Sequence, residues 1–156
     1  MAFHQALVFD NAFAVSRLIE ERYSEQKTRI AMIGCGQMSR NHMRTILKNG
    51  EGTQIAALCE PSKSALNETS EVFRELGKSM PENETNLATL IDTVRPDAVF
   101  IATPHAMHHE QAKACLEAGV DVLIEKPMVM NAREAEELIE ARDRTGRLLS
   151  LIHISE

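Results

Sequence analysis

Residues 28–39 read TRIAMIGCGQMS, and this stretch decides the fold. The apolar run at 29–33 predicts a buried strand, and residues 37–49 have the apolar spacing of a helix, which Gly50 ends. A glycine-rich turn joins the two. A G-x-G-x-x-G-like pattern is informative only in this context, directly after a strand and at the start of a helix.

The same unit repeats along the rest of the chain. Further strands are predicted at 54–59, 98–102, 120–124 and 148–152, and helices at 62–76, 87–94, 107–118 and 131–145, with a polar loop at 81–84. Strands with continuous apolar runs that alternate with amphipathic helices form parallel sheets covered on both faces. We therefore predict an α/β fold with a doubly wound parallel sheet.

Two of these helices carry distinct sequence signals. Residues 112, 115 and 116 are apolar at helical spacing, which predicts a buried stripe. In the last helix, Asn131 and Glu134 match a capping box, and Ala135, Leu138 and Ile139 are expected to face the core.

Composition excludes several classes of function. The chain has 156 residues, a formal net charge of -6 and no basic cluster, so nucleic acid is not expected as a partner. Its three cysteines are widely spaced, which argues against both a disulfide framework and a zinc site. No stretch has the pattern of a signal peptide or the length of a membrane span, so we expect a cytoplasmic protein with no membrane partner.

The glycine turn has the features of a phosphate-binding loop. Gly34 allows the tight turn and Gly36 lets the backbone approach a pyrophosphate, whose charge is favoured at the start of the helix. Cys35, Gln37 and Met38 complete the predicted cofactor-binding turn. Ser39 departs from the pattern, which has Gly or Ala at this position, and an ordinary glycine-rich turn is the alternative interpretation.

Glu60 follows the second strand, where the dinucleotide fingerprint has a carboxylate. Such a carboxylate accepts hydrogen bonds from the adenosine ribose and repels a 2′-phosphate, which favours NAD over NADP. Ser62 and Lys63 lie close enough to weaken that preference, and a solvated charge at a strand end is the alternative.

Two later stretches of the sequence match motifs of a known family. Residues 102–108 read ATPHAMH and residues 117–127 read EAGVDVLIEKP. The first of these stretches and the EKP at 125–127 each follow a predicted strand. Together with the glycine turn, they closely resemble the glucose-fructose oxidoreductase/inositol dehydrogenase/MocA family, with its A-T-P-x-x-x-H and E-A-G-x-x-V-x-x-E-K-P motifs. The resemblance covers residues 28–148 and implies that family's N-terminal Rossmann domain.

The resemblance also implies roles for individual residues. Thr103 and Pro104 would line the cofactor site, His108 would start the next helix near the ribose, and Glu125 and Lys126 would border the nicotinamide. Pro127 would shape the turn. Lys126 is the predicted catalytic residue, because a lysine there can hold the substrate hydroxyl and help to remove its proton.

Histidines at 105, 108 and 109 also suggest a metal site, but no carboxylate or cysteine accompanies them at ligand spacing. We therefore predict no metal.

The expected domain organisation is an N-terminal extension at 1–27, with a helix at 12–23, followed by a dinucleotide-binding domain at 28–156. Five predicted strands are one fewer than the six of the usual dinucleotide-binding order. Family members continue into a second, α+β domain, which is absent here. The ending LSLIHISE resembles a translated sequencing adaptor, so we expect an artefactual C-terminus and a fragment that is inactive without its substrate domain.

The resemblance implies a full-length dehydrogenase that acts on a CH–OH group of a sugar, inositol or related polyol and can form homo-oligomers. A non-catalytic dinucleotide sensor is the second hypothesis, since this fold does not fix function. A methyltransferase ranks last, because that fold gives no reason for Glu125-Lys126-Pro127.

Overall fold

Seven parallel strands and five α-helices make up the part of the chain that the computed structural model describes, residues 8–9 and 27–152. The strands are β1 (Val8–Phe9), β2 (Thr28–Ile33), β3 (Thr53–Cys59), β4 (Glu82–Glu84), β5 (Ala98–Ile101), β6 (Asp121–Glu125) and β7 (Leu149–Ile152). The helices are α1 (Gln37–Asn49), α2 (Lys63–Glu75), α3 (Leu87–Val94), α4 (His108–Glu117) and α5 (Ala132–Thr145), and a 3₁₀ turn at His105–Met107 precedes α4.

The strand order in the sheet is β1-β7-β6-β5-β2-β3-β4, and every pair is parallel. The chain runs from β2 outward to β3 and β4, then returns to β5 on the other side of β2. The topological switch point therefore lies between β2 and β5, where open α/β sheets bind ligands beyond the carboxyl ends of their strands. The predicted doubly wound parallel sheet is confirmed.

Side chains of β2 alternate between two cores, one on each face of the sheet. Ala31 and Ile33 belong to the core that includes residues of α3, α4 and α5, whereas Ile30 and Met32 belong to the core packed against α1 and α2. The buried stripe predicted for α4 is confirmed, since Ala112, Cys115 and Leu116 are all 0% exposed. Helices thus cover both faces, as continuous apolar strands require.

The count of five strands was wrong, because two short edge strands have no sequence signal. The predicted polar loop at 81–84 contains β4, whose residues Glu82 to Glu84 pair with β3. Val8–Phe9, within the predicted N-terminal extension, pairs with β7. Strand pairing uses backbone groups, so a polar or two-residue segment can join a sheet edge without an apolar pattern. The predicted helix at 12–23 and the last four residues lie outside the described residues.

Side-chain caps fix the starts of three helices: Ser62 accepts from the backbone N–H of Ala65, Asn86 from that of Thr89, and Asn131 from that of Glu134. These bonds satisfy N–H groups that have no partner within the helix.

Two details of α5 differ from the prediction. The Glu134 carboxylate accepts from the N–H of Met130 rather than from the cap residue, so the capping box is only half formed. Ile139 was expected to face the core but is 41% exposed, whereas Ala141 is buried. Packing against α4 sets which side of α5 is covered, and this could not be read from spacing alone.

The turn after β2 allows a test of the fold. A methyl group at Gly34 would meet the Ala102 carbonyl oxygen at 2.8 Å, and Gly34 has a φ of +88°. We expect Gly34→Ala to lower the free energy of unfolding by at least about 2 kcal/mol, since both the conformation and the contact are unfavourable. Urea unfolding followed by circular dichroism measures the change.

Gly36→Ala is the matched control, because no atom lies within 4 Å of the added methyl group and φ is -68°. Its free energy of unfolding should stay within about 1 kcal/mol of that of the unaltered chain. Equal losses in the two variants would contradict the assigned role of Gly34.

Candidate functional site

The turn after β2 is held tightly against the end of β5. The Gly34 N–H donates to the Cys59 carbonyl at 2.9 Å, and the Ala102 N–H donates to the Ile33 carbonyl at 2.9 Å. Only a residue without a side chain fits between these strand ends. Gly36 then begins α1 in an extended conformation, and no described side chain caps this helix. The first N–H groups of α1 are therefore available to an anion.

Arg40 supports the turn from within α1. Its guanidinium donates to the Cys35 carbonyl at 2.8 Å and to the Gln37 side-chain oxygen at 3.0 Å, and it forms an ion pair with Glu68 at 2.6 Å. The residue is only 8% exposed. By holding the carbonyl of the turn, Arg40 fixes the direction of the neighbouring peptide groups.

Glu60 contacts the same turn from the end of β3. One carboxylate oxygen accepts from the Cys35 N–H at 2.8 Å and the other from the Ser62 N–H at 2.8 Å. The carboxylate is half-buried and fixed in position beside the glycine turn.

Cys35 and Ser39 have structural surroundings. Burial, reinforced by the charge of Glu60, raises the pKa of the Cys35 thiol to about 12, so this thiol stays neutral and is a poor nucleophile. Ser39 is completely buried against the sheet, and its hydroxyl has no hydrogen-bond partner among the described residues. A small residue is thus required at the position where the pattern has Gly or Ala.

His108 connects the turns that follow β5 and β6. Its ring is fully buried, with Nε2 2.9 Å from the Thr103 carbonyl oxygen and Nδ1 2.8 Å from the Pro127 carbonyl oxygen. As predicted, α4 begins at this residue. Both ring nitrogens are occupied by protein carbonyls, so the ring orders the two turns. Pro104, before the 3₁₀ turn, is exposed.

The three neighbouring histidines do not converge. His105 is exposed and its ring meets the His108 ring edge-on at 5.6 Å, whereas His109 faces Glu137 of α5 at 3.1 Å. Within the described ranges, no group of three or more His, Cys, Asp or Glu residues is arranged to hold a metal ion.

Glu125, Lys126 and Pro127 form the turn after β6. Glu125 is buried and lies 2.5 Å from the Nε2 atom of His42, and its second oxygen accepts from the Lys126 N–H at 3.2 Å. Lys126 is exposed, and the peptide bond between Lys126 and Pro127 is cis. The side chain of Lys126 is therefore open to a ligand above the sheet edge.

Burial of the Glu125 carboxyl by itself disfavours the charged form. The hydrogen bond and charge of His42, together with the backbone N–H and charge of Lys126, outweigh that effect and hold the pKa of Glu125 below its usual value. The carboxylate is thus ionised at neutral pH.

The structure brings the residues predicted from the sequence to one edge of the sheet. Four turns meet there, after β2, β3, β5 and β6, and each is joined to a neighbouring turn or to α1 by hydrogen bonds or close contacts. The sequence analysis missed His42 and Arg40, which lie on α1 one to two turns after Gly36. Their partners are distant in sequence, so spacing along the chain gave no signal for either residue.

No helix among the described residues is long and apolar enough to cross a membrane.

Sequence comparison finds inositol dehydrogenases among the relatives of this chain. The inositol 2-dehydrogenase of Streptomyces avermitilis is 32% identical over 79% of this chain and 34% of its own length. A scyllo-inositol 2-dehydrogenase (NADP(+)) of Bacillus subtilis, IolW, is 36% identical over 59% of this chain and 25% of its own. The chain spans about a third of the length of several curated relatives that it matches.

A solved structure has the same fold. The WlbA dehydrogenase from Bordetella pertussis, in complex with NADH and UDP-GlcNAcA, matches with a TM-score of 0.71 and 27% identity, over 81% of this chain and 35% of that one. A family model described as "Oxidoreductase family, NAD-binding Rossmann fold" matches residues 28–153. The chain therefore belongs to the glucose-fructose oxidoreductase/inositol dehydrogenase/MocA family of oxidoreductases, within its NAD-binding Rossmann domain.

Proposed function

We propose that this chain is the dinucleotide-binding part of an NAD-dependent dehydrogenase that acts on a CH–OH group of a sugar, inositol or related polyol. The observation that carries the proposal is the edge at which an uncapped helix, a fixed carboxylate and an exposed lysine lie on neighbouring turns. The activities for which its relatives are named supply the substrate class.

The turn fits a dinucleotide. The space above Gly36 is open within 4 Å of where a side chain would begin, and the first N–H groups of α1 face that space without a side-chain cap. Backbone groups of Gly34, Cys35, Gly36, Gln37 and Met38 would surround the pyrophosphate. When bound, the nicotinamide ring supplies the hydride acceptor.

Glu60 would bind the adenosine ribose. Its carboxylate would accept hydrogen bonds from the ribose hydroxyl groups and would repel a 2′-phosphate, so NAD is preferred to NADP. The Bacillus subtilis relative carries NADP(+) in its name, which indicates that the choice of cofactor varies between members of this family.

On the other side of the turn, Thr103, Pro104 and His108 would border the centre of the dinucleotide. Glu125, Lys126 and Pro127 would border its nicotinamide end. Lys126, with Nζ as the neutral amine, would hold the substrate hydroxyl and accept its proton, while the C–H hydrogen would leave with its electron pair as hydride to the acceptor that a bound cofactor supplies. The buried ring of His108 keeps the two turns at a fixed separation, so Lys126 meets the substrate in a defined position.

The length comparison supports a longer protein. Relatives are more than twice as long as this chain, and we propose that a second domain supplies the substrate contacts missing here. Amplifying the genomic locus across the codons for the last residues tests this: an open reading frame that continues supports the proposal, and a genuine stop codon after Glu156 contradicts it.

Gly36→Ala should abolish dinucleotide binding while the chain stays folded. The added methyl group takes the open space that the pyrophosphate needs, and stability is little affected because nothing lies within 4 Å. Calorimetric titration with NADH measures binding, and circular dichroism confirms folding. Unchanged affinity would show that the phosphates do not approach this turn.

Glu60→Ala should weaken NADH binding by about tenfold or more, since hydrogen bonds to a charged acceptor contribute about 1.5–3 kcal/mol. The same variant should bind NADPH no worse than the unaltered chain does, because the charge that repels the 2′-phosphate is gone. Titrations with NADH and with NADPH measure the two affinities. A uniform loss for both cofactors would contradict a role of Glu60 in selecting between them.

Lys126→Met, made in the full-length protein, should lower kcat by about 10²–10⁴-fold, the usual contribution of a positioned proton acceptor. The Kd for NADH should change little. Turnover is followed by NADH formation from NAD+ with inositols and a sugar panel. Lys113→Met is the matched control, because Lys113 pairs with Glu137 on the surface between α4 and α5. Dinucleotide binding without turnover in the unaltered full-length protein would favour a sensor.

A further inference from the structure

His42 and Glu125 form a buried pair that the proposed chemistry does not use. The side chains are 0% and 9% exposed, and His42 Nε2 lies 2.5 Å from Glu125 Oε1. The imidazole also packs against the Phe100 ring, with ring centroids 4.4 Å apart. The pair joins α1, which begins at the glycine turn, to the end of β6, where Lys126 follows.

The hydrogen-bonding pattern shows which nitrogen of His42 acts on Glu125. His42 Nδ1 is buried and has no hydrogen-bond partner among the described residues. Nε2 is thus the ring nitrogen that meets the carboxylate, and because an ionised carboxylate can only accept, Nε2 is the donor. The carboxylate of Glu125 keeps its negative charge in this arrangement.

Glu125 holds that charge in a fixed place. Its two oxygens are occupied, one by His42 and one by the Lys126 N–H at 3.2 Å. Among the described residues, His42 from α1 and Lys126 from the same turn are the titratable groups that act on it.

The strand order locates the part of a dinucleotide that would meet this charge. Glu60 lies at the end of β3 and the glycine turn follows β2, while β5 and β6 lie on the opposite side. A dinucleotide whose ribose contacts Glu60 and whose pyrophosphate lies on the glycine turn must extend its other half across β5 and β6. The nicotinamide would thus lie near Glu125.

We propose that His42 is a positioning residue that keeps Glu125 ionised at the nicotinamide end, so that the Glu125 carboxylate favours the positively charged NAD+ over the neutral ring of NADH. This inference rests on the proposed function, because it assumes a nicotinamide dinucleotide on the glycine turn. Its consequence is that the protein itself biases the redox equilibrium of the bound cofactor toward the oxidised form.

The first experiment measures the Kd of NAD+ and of NADH at neutral pH, for the unaltered chain and for Glu125→Gln. This substitution removes the charge and keeps the shape. We expect the ratio of Kd for NAD+ to Kd for NADH to rise by about fivefold or more, since one unit charge acting over about 4 Å has that effect even under the full screening of water. Glu60→Gln is the control, since it should weaken the binding of NAD+ and of NADH by the same factor and leave their Kd ratio unchanged.

His42 variants test the positioning role separately. His42→Phe keeps a ring against Phe100 but removes the donor, so the buried carboxyl of Glu125 should protonate at a higher pH. The preference for NAD+ should then disappear on acidification at a higher pH than in the unaltered chain. His42→Gln keeps an N–H near the position of Nε2 and should restore the original pH profile, which a purely packing role of His42 would not predict.

The outcomes separate the two proposals. If Glu125→Gln folds and changes both affinities equally, the inference fails while the proposed function stands. If the folded, unaltered chain binds neither NAD+ nor NADH, the proposed function fails and this inference with it. Should Glu125→Gln not fold, the pH profiles of the two His42 variants decide: identical profiles overturn the inference, and the shift followed by rescue supports it.

Discussion

The close approach of Gly34 to the Ala102 carbonyl is the constraint on which the rest of the site depends. A positive φ at Gly34 turns the chain from β2 directly into α1, and the missing side chain lets the turn rest on the end of β5. This contact sets where α1 begins and which way its first N–H groups point. It also sets the position of the second turn of α1, from which His42 reaches β6.

Buried and half-buried carboxylates lie on both sides of this turn. Glu60 bonds the turn from the β3 side, and Glu125 is held by His42 on the β6 side. Each carboxylate is fixed by donors that the fold supplies, rather than by solvent, so its charge acts in one direction and at one place. An anion at the start of α1 would lie between them, held by backbone N–H groups of the helix.

The turns after β5 and β6 are ordered by contacts that cross between them. The buried His108 ring lies between the carbonyl oxygens of Thr103 and Pro127, with one ring nitrogen facing each. This contact ties the two turns together. The exposed Lys126 is thus carried on a rigid support, although the side chain itself is open to solvent. The role proposed for Lys126, to hold a substrate hydroxyl in one orientation, needs such a fixed backbone.

The sequence by itself determined the fold class, the positions of five strands and the glycine turn, because apolar runs, glycine turns and helix spacing are local properties of the chain. The candidate residues from Thr103 to Pro127 came from motifs that the sequence shares with a known family. The residues predicted from it, from Gly34 to Pro127, do lie at one edge of the sheet. Only the tertiary structure decided the edge strands β1 and β4, the exposed face of Ile139 and the partners of His42 and Arg40. Strand pairing at an edge uses the backbone, and a buried pair such as His42 and Glu125 joins residues 83 positions apart, so neither has a pattern along the chain.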